Sequence, residues 1–338
     1  MKKGREGIRI HYSAPPRLPY RRFQCGSSTN DARKSRAYHV PSRSRISVTY
    51  DAIMSLSFLP GHEMFPIPPI PPRRIRQETL DRFISAISAG DWEDFDTYLA
   101  TFGPDKEFEI DDLYPVAFEA IKQDSAIAME RILSRGMTVR HSFALEAISA
   151  KAKQCLDVIV KRWDVNTPIS ETEPTVLAYA VDNEEMALWL VAHGADLNKQ
   201  TYIDLTPMSY AVQFAPLALI EKLLDRGGDI HSGELLQHAL DRATDTIEVL
   251  CMLIDRGAPL EAIMYEKHEA SRRLYPFMEF GTPLHKAATM GKADVVQFLL
   301  ERKANPAIRN TKGRTPVECA VESGSLETVE VLRSVSTD

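Results

Sequence analysis

No run of 18 consecutive apolar residues occurs in these 338 residues, so the sequence offers no candidate for a membrane-spanning helix. Cysteine is scarce. The four thiols, Cys25, Cys155, Cys251 and Cys319, form no Cys-x-x-Cys pair and have no metal-like spacing. That usage suits a reducing compartment, cytoplasmic or nuclear. Cys155 and Cys251 fall within apolar runs and read as small core residues. Gly-rich phosphate loops and nucleophile elbows are also missing. "GHEMFP" (61–66) lacks the second His of a zinc helix, and Pro66 opposes a helix there. No catalytic, cofactor or metal residue is therefore assigned, and an enzyme is not expected.

What the sequence does contain is self-similarity. "EFGTPLHKAATMGKADVVQFLLERKANP" (279–306) reads as two short helices. Thr282 is placed to accept a bond from a first-turn amide, and Pro283 suits the first helical position. Leu284, Ala287 and Ala288 share one face, Gly291 breaks the run, and Val295 to Leu300 form a second apolar helix. A helix pair of this size cannot bury its apolar face alone. Neighbours follow the same order of parts at 314–335, 205–230, 174–198 and 233–260, and more weakly at 113–139, 141–166 and 79–103. A period of roughly 30 residues marks a stacked-repeat protein.

These repeats resemble the ankyrin family. The likeness rests on Thr-Pro-Leu-His-x-Ala-Ala at 282–288, Thr-Pro-Met-Ser-x-Ala at 206–211, Thr-Pro-Val-Glu-x-Ala at 315–320 and His-Gly-Ala-Asp-Leu-Asn at 193–198. It implies an all-α solenoid of about 7–8 helix pairs over residues 77–338, with approximate repeats 77–110, 111–140, 141–172, 173–203, 204–231, 232–261, 280–310 and 311–338. Helices stack at about 8–10 Å, so eight units would extend roughly 60–80 Å. Lys303 and Arg162 stand where a helix-ending Gly is usual; each non-Gly residue there costs on the order of 1 kcal/mol if its φ is positive. Thr206, Pro207, Thr282, Pro283, Leu284, Thr315 and Pro316 are expected to be structural. So is His285, by resemblance a hydrogen-bonding residue within and between repeats.

The resemblance implies a protein-binding surface: the exposed side of the first helices and the loops between repeats. Carried onto this chain, the first set includes Gln213, Phe214, Thr289 and Met290. The second includes Tyr202, Asp204, Arg309, Lys312 and Arg314. One insertion is a particular feature of this chain. "EAIMYEKHEASRRLYPFMEF" (261–280) runs about 17 residues beyond the tightest connections, and long loops in compact folds are usually functional or disordered. Its Tyr265, Arg272, Arg273, Tyr275 and Phe277 are of types common at binding interfaces. A helical turn is expected within it, stopped by Pro276.

Charge divides the chain. Residues 1–76 hold 15 Lys or Arg against 4 Asp or Glu; the remaining 262 hold 26 against 43. The Pro-, Ser- and Arg-rich tail reads as disordered. It could be a plain solvated linker, bind nucleic acid, act as a targeting segment, or offer Pro69, Pro72 and Arg74 to an SH3-type domain. It could also fold back on the acidic stretch 91–112. Translation starting at Met54 or Met64 would remove much of it. The leading expectation is an adaptor or scaffold that binds proteins through its concave face and the 261–280 finger. A substrate receptor of a ubiquitin ligase and a nucleic-acid-associated protein held by the basic tail are the alternatives. Neither a membrane nor, beyond that last reading, nucleic acid is expected as a partner.

Overall fold

Helices in pairs make up the architecture of the computed structural model, which describes residues 75–103, 106 and 108–335. The tail, with Pro69, Pro72, Arg74 and both alternative start sites, lies outside the described residues.

Among the described residues, eight pairs follow one another. The first are α1 (Gln77–Ala89) with α2 (Trp92–Leu99), α3 (Tyr114–Lys122) with α4 (Ala126–Ser134), and α5 (His141–Ala150) with α6 (Lys153–Val160). A single 3-10 turn, Val176–Tyr179, stands in for the first helix before α7 (Glu184–Ala192). Then come α8 (Pro207–Phe214) with α9 (Leu217–Leu224) and α10 (Leu235–Ala239) with α11 (Thr246–Asp255). The inserted α12 (Glu269–Leu274) precedes α13 (Pro283–Thr289) with α14 (Ala293–Glu301) and α15 (Pro316–Glu322) with α16 (Leu326–Val335). First helices stack on first helices, and several second helices on second, so each pair touches its neighbours.

The local signals explain these elements. Thr206 and Thr315 accept from the amides of Ser209 and Glu318, at 3.2 and 3.5 Å, so their hydroxyls satisfy first-turn donors. Pro207, Pro283 and Pro316 each open a helix where a missing N–H costs nothing. Small side chains on the first helices, among them Ala117, Ala144, Ala211, Ala239 and Ala287, are fully buried and let backbones approach. Large ones on the second helices fill the gap, including Met129, Leu156, Ile220 and Leu299. One continuous core results. At its start Phe83 and Phe95 meet edge to face, with ring centres 5.1 Å apart.

Lys303 does take a left-handed turn, with φ 73°, whereas Arg162 is not among the positive-φ residues. Its amide bonds Ile159 O within an ordinary helix end. Cys155 is fully buried and donates to Ala120 O, and burial pushes its thiol up to about 12, so it is an inert packing group. Cys251 is half-buried.

Candidate functional site: the flank of the first helices and the inserted finger

A ladder of side chains sets the register between pairs. In α8, α10 and α13 the third residue reaches the carbonyl just before the next first helix. Ser209 Oγ donates to Gly233 O at 2.7 Å, Gln237 Nε2 to Gly281 O at 3.0 Å, and His285 Nε2 to Arg314 O at 3.0 Å. His285 Nδ1 accepts from the Thr282 amide at 3.1 Å and sits 2.9 Å from its hydroxyl. A ring that donates at one nitrogen and accepts at the other is neutral. Burial holds its pKa below the ordinary value, against the Arg314 carbonyl and Glu279. Leu284 packs in the core beside it. Gly281 lies so close that a Cβ there would fall 2.5 Å from His285 Cβ.

The Gln237 rung spans the whole insertion, so the finger leaves and re-enters the array without breaking register. Its root is built into the fold. The Tyr265 amide donates to Glu234 Oε1 at 2.7 Å, and the Asp204 amide donates to the buried Ser271 Oγ at 2.9 Å. Tyr265 is buried, stacks on Tyr275 at 6.5 Å and meets Phe280 edge to face at 5.3 Å. Helix α12 ends before Pro276. Both Glu234 and Tyr265 adopt left-handed backbone, with φ 53° and 59°, unusual for side chains of their size. Where α8, α13 and α15 each follow a Thr, α10 follows Glu234, which turns its carboxylate to the finger. A cavity of about 130 Å³ opens here, lined by Glu234, Asp204, Glu266, Lys267 and apolar residues including Ile263. Burial pushes the Glu234 carboxyl up to about 7; the Tyr265 amide opposes this, and the charges of Asp204 and Glu266 add to it.

Beyond this root the finger is open. Phe277 is 88% exposed and Met278 56%, with Leu274 at 36%. Arg272 and Arg273 are exposed, the latter paired with Glu269 at 2.6 Å. Thus Tyr265 and Tyr275 support the finger while Phe277 projects from it.

On the flank of the first helices, Tyr179 and Tyr210 lie 5.7 Å apart and Tyr210 and Phe214 5.8 Å. Phe214 is 58% exposed. Gln213 Oε1 lies 3.3 Å from His238 Nδ1, and Lys286 Nζ donates to Asp241 at 2.7 Å. Burial first, then the charge of Lys286, lowers the His238 pKa to about 4. Thr289 and Met290 are exposed; the Thr289 hydroxyl donates to His285 O at 2.9 Å. Among the loop residues, Tyr202 is exposed, and its amide donates to Glu171 O at 2.8 Å. Asp204 is buried, its carboxylate accepting from the Gly233 amide at 2.8 Å and Gln200 Nε2 at 2.7 Å. Arg309 donates to Gly313 O at 2.5 Å. Arg314 is tied to Glu279 and Glu322, and Lys312 Nζ stands 3.9 Å from Glu279.

Sequence reasoning missed Glu234, Ser271, Tyr179, Tyr210, Leu274 and Met278. A signal existed for the two tyrosines: each immediately precedes a buried Ala, as Lys286 precedes Ala287. None marked Ser271, whose partner lies 67 residues away. Among the described residues no three His, Cys, Asp or Glu side chains gather as a metal-holding group, and no helix is long and apolar enough to cross a membrane.

Comparison with known proteins agrees with this geometry. Residues 236–338 match the family model for ankyrin repeats in three copies. The ankyrin repeat protein nuc-2 of Neurospora crassa is 31% identical over 146 residues, which is 42% of this chain and 13% of that protein. An ankyrin repeat protein of Fowlpox virus is 29% identical over 157 residues, 44% of this chain and 43% of the viral one. The neurogenic locus Notch protein of Drosophila melanogaster is 30% identical over 107 residues, 32% of this chain and 3% of Notch. The chain thus spans less than half the length of each of these relatives. Ankyrin repeats are in general protein–protein interaction modules, and by their helix pairs, their Thr-Pro heads and these matches residues 236–338 are ankyrin repeats.

Proposed function

We propose that the protein is a non-catalytic adaptor or scaffold that recruits a protein partner through the flank of its first helices and the 261–280 finger. One observation carries this reading: a finger whose root is buried and hydrogen-bonded holds Phe277, 88% exposed, at its tip. A large apolar ring held in water by a fixed support is costly for a monomer and useful to an interface. The fixed support also limits the ordering entropy that binding would cost. Phe214, beside Tyr210, offers a second exposed ring on the helix flank.

The test is affinity capture with mass spectrometry. The full chain is compared with a full chain in which a short Gly-Ser linker replaces 262–279, and with Phe214→Ser. A partner lost on replacing the finger supports it as the main site. A partner retained by both variants sinks this reading.

A further inference from the structure

The finger tip carries chemistry that selects the kind of partner. Leu274, Phe277 and Met278 are all exposed, and they cluster around a turn closed by the Met278 amide, which donates to Tyr275 O at 3.1 Å. Pro276 sits second in that turn, where its fixed φ favours it. Two of the finger's carboxylates are already occupied. Glu269 is held by Arg273, and Glu279 by Arg314 and Asn310. No ion pair among the described residues takes Arg272, and Lys312 approaches Glu279 only to 3.9 Å. The apolar tip therefore lies beside Arg272, an exposed guanidinium with no ion pair of its own among the described residues.

We propose that this tip docks an acidic segment of a partner protein, one that carries large apolar side chains between its carboxylates. The inference rests on the finger being a binding site and adds the partner's chemistry. An apolar neutral partner would cover Arg272 without pairing it, and a basic partner would meet like charge. A carboxylate satisfies the guanidinium through two parallel bonds, and Arg is the cation most weakly hydrated and so most readily brought into such a contact. Polyphosphate fits the cations too, but a nucleic-acid strand would run on from the tip onto an array in which acidic residues outnumber basic ones 43 to 26.

A random peptide library of about a dozen residues, panned on the immobilised full chain at physiological salt, tests the proposal. The full chain carrying Phe277→Ser and Met278→Ser serves as counter-target. These side chains are solvent-exposed, so the variant is expected to fold, and an unchanged thermal melt checks that it does. The expected result is a set of peptides rich in Asp and Glu with interspersed Leu, Phe or Met. Their affinity should fall about tenfold or more on the counter-target and on Arg272→Glu. Tip-dependent peptides that are neutral or basic overturn the acidic chemistry and leave the finger standing as a site. Peptides that bind both chains equally, or no peptides at all, overturn the finger itself as a site. Labelled single-stranded DNA that binds and is lost with Arg272→Glu replaces an acidic protein by nucleic acid.

Discussion

Glu234 and His285 respond to acid in opposite directions, and each does so because it is buried. Glu234 has its folded pKa raised from 4.5 to about 7. Its contribution to stability is full below pH 4.5 and is lost as the pH rises through 7, where the buried carboxylate must ionise. Glu234→Gln keeps a carbonyl for the Tyr265 amide and removes that titration. Urea unfolding at pH 5 and pH 8 should show the native chain gaining about 1–3 kcal/mol more on acidification than the variant does. An identical pH response in both chains would place the carboxyl in water. His285 is the reverse case: with its pKa lowered, its contribution is present above the ordinary 6.5 and declines as the pH falls below it. Since both chains keep His285, its effect cancels in the comparison. A simpler residue-scale prediction concerns packing. Leu284→Ala leaves a cavity in a close-packed site and should cost about 2–5 kcal/mol in the same unfolding experiment. Changing Thr282 to Ala should cost about 1 kcal/mol.

At the scale of elements, the join between the pairs α8–α9 and α10–α11 depends on one buried cation. Arg242 is 8% exposed. It donates to Val212 O at 2.5 Å and Ala215 O at 3.0 Å, and its Nη2 lies 2.9 and 2.8 Å from the two Asp245 oxygens. It thereby satisfies the carbonyls left open where α8 ends, and Asp245 balances its charge. Arg242→Met should cost about 3–5 kcal/mol, because it strands the carboxylate and two carbonyls rather than removing a whole network. A loss below about 1 kcal/mol in urea unfolding would show that water replaces the guanidinium. The exposed ion pairs between second helices, such as Arg256 with Asp225 at 2.6 Å, are worth far less each.

For the whole molecule, stability is a sum of pairs and the interfaces between them. Helices α13 and α14 have a packed neighbour on either side, whereas α1 and α2 have one on a single side among the described residues. Hydrogen exchange read by mass spectrometry should therefore find the amides of α13 protected longer than those of α1 and α2. Earlier exchange in α13 would mean that the inserted finger weakens the array where it enters. The Gln237–Gly281 rung and the bond from Lys286 Nζ to Gln237 O, at 2.8 Å, argue against such a weak point.

The helix pairs were legible from the amino acids because what makes them is local. Thr-Pro starts at 206, 282 and 315, an apolar spacing of three and four, and Gly291 or Gly324 at the breaks act within a few residues of themselves. The likeness of these units to one another then specified stacking, since none could bury its own apolar face. Tertiary structure alone decided which side chains of the finger serve the fold and which face water. Tyr265, Tyr275 and Phe277 are chemically alike in the sequence. Tyr265 is buried because Glu234, 31 residues away, holds its amide, and Phe277 projects because the turn at Pro276 carries it clear of every neighbour. In the same way, Asp204 reads as a loop carboxylate but is consumed by Gly233, 29 residues on. A residue's own type and its near neighbours fix whether it can cap or fill a helix. Its exposure depends on partners that only the folded chain brings within reach.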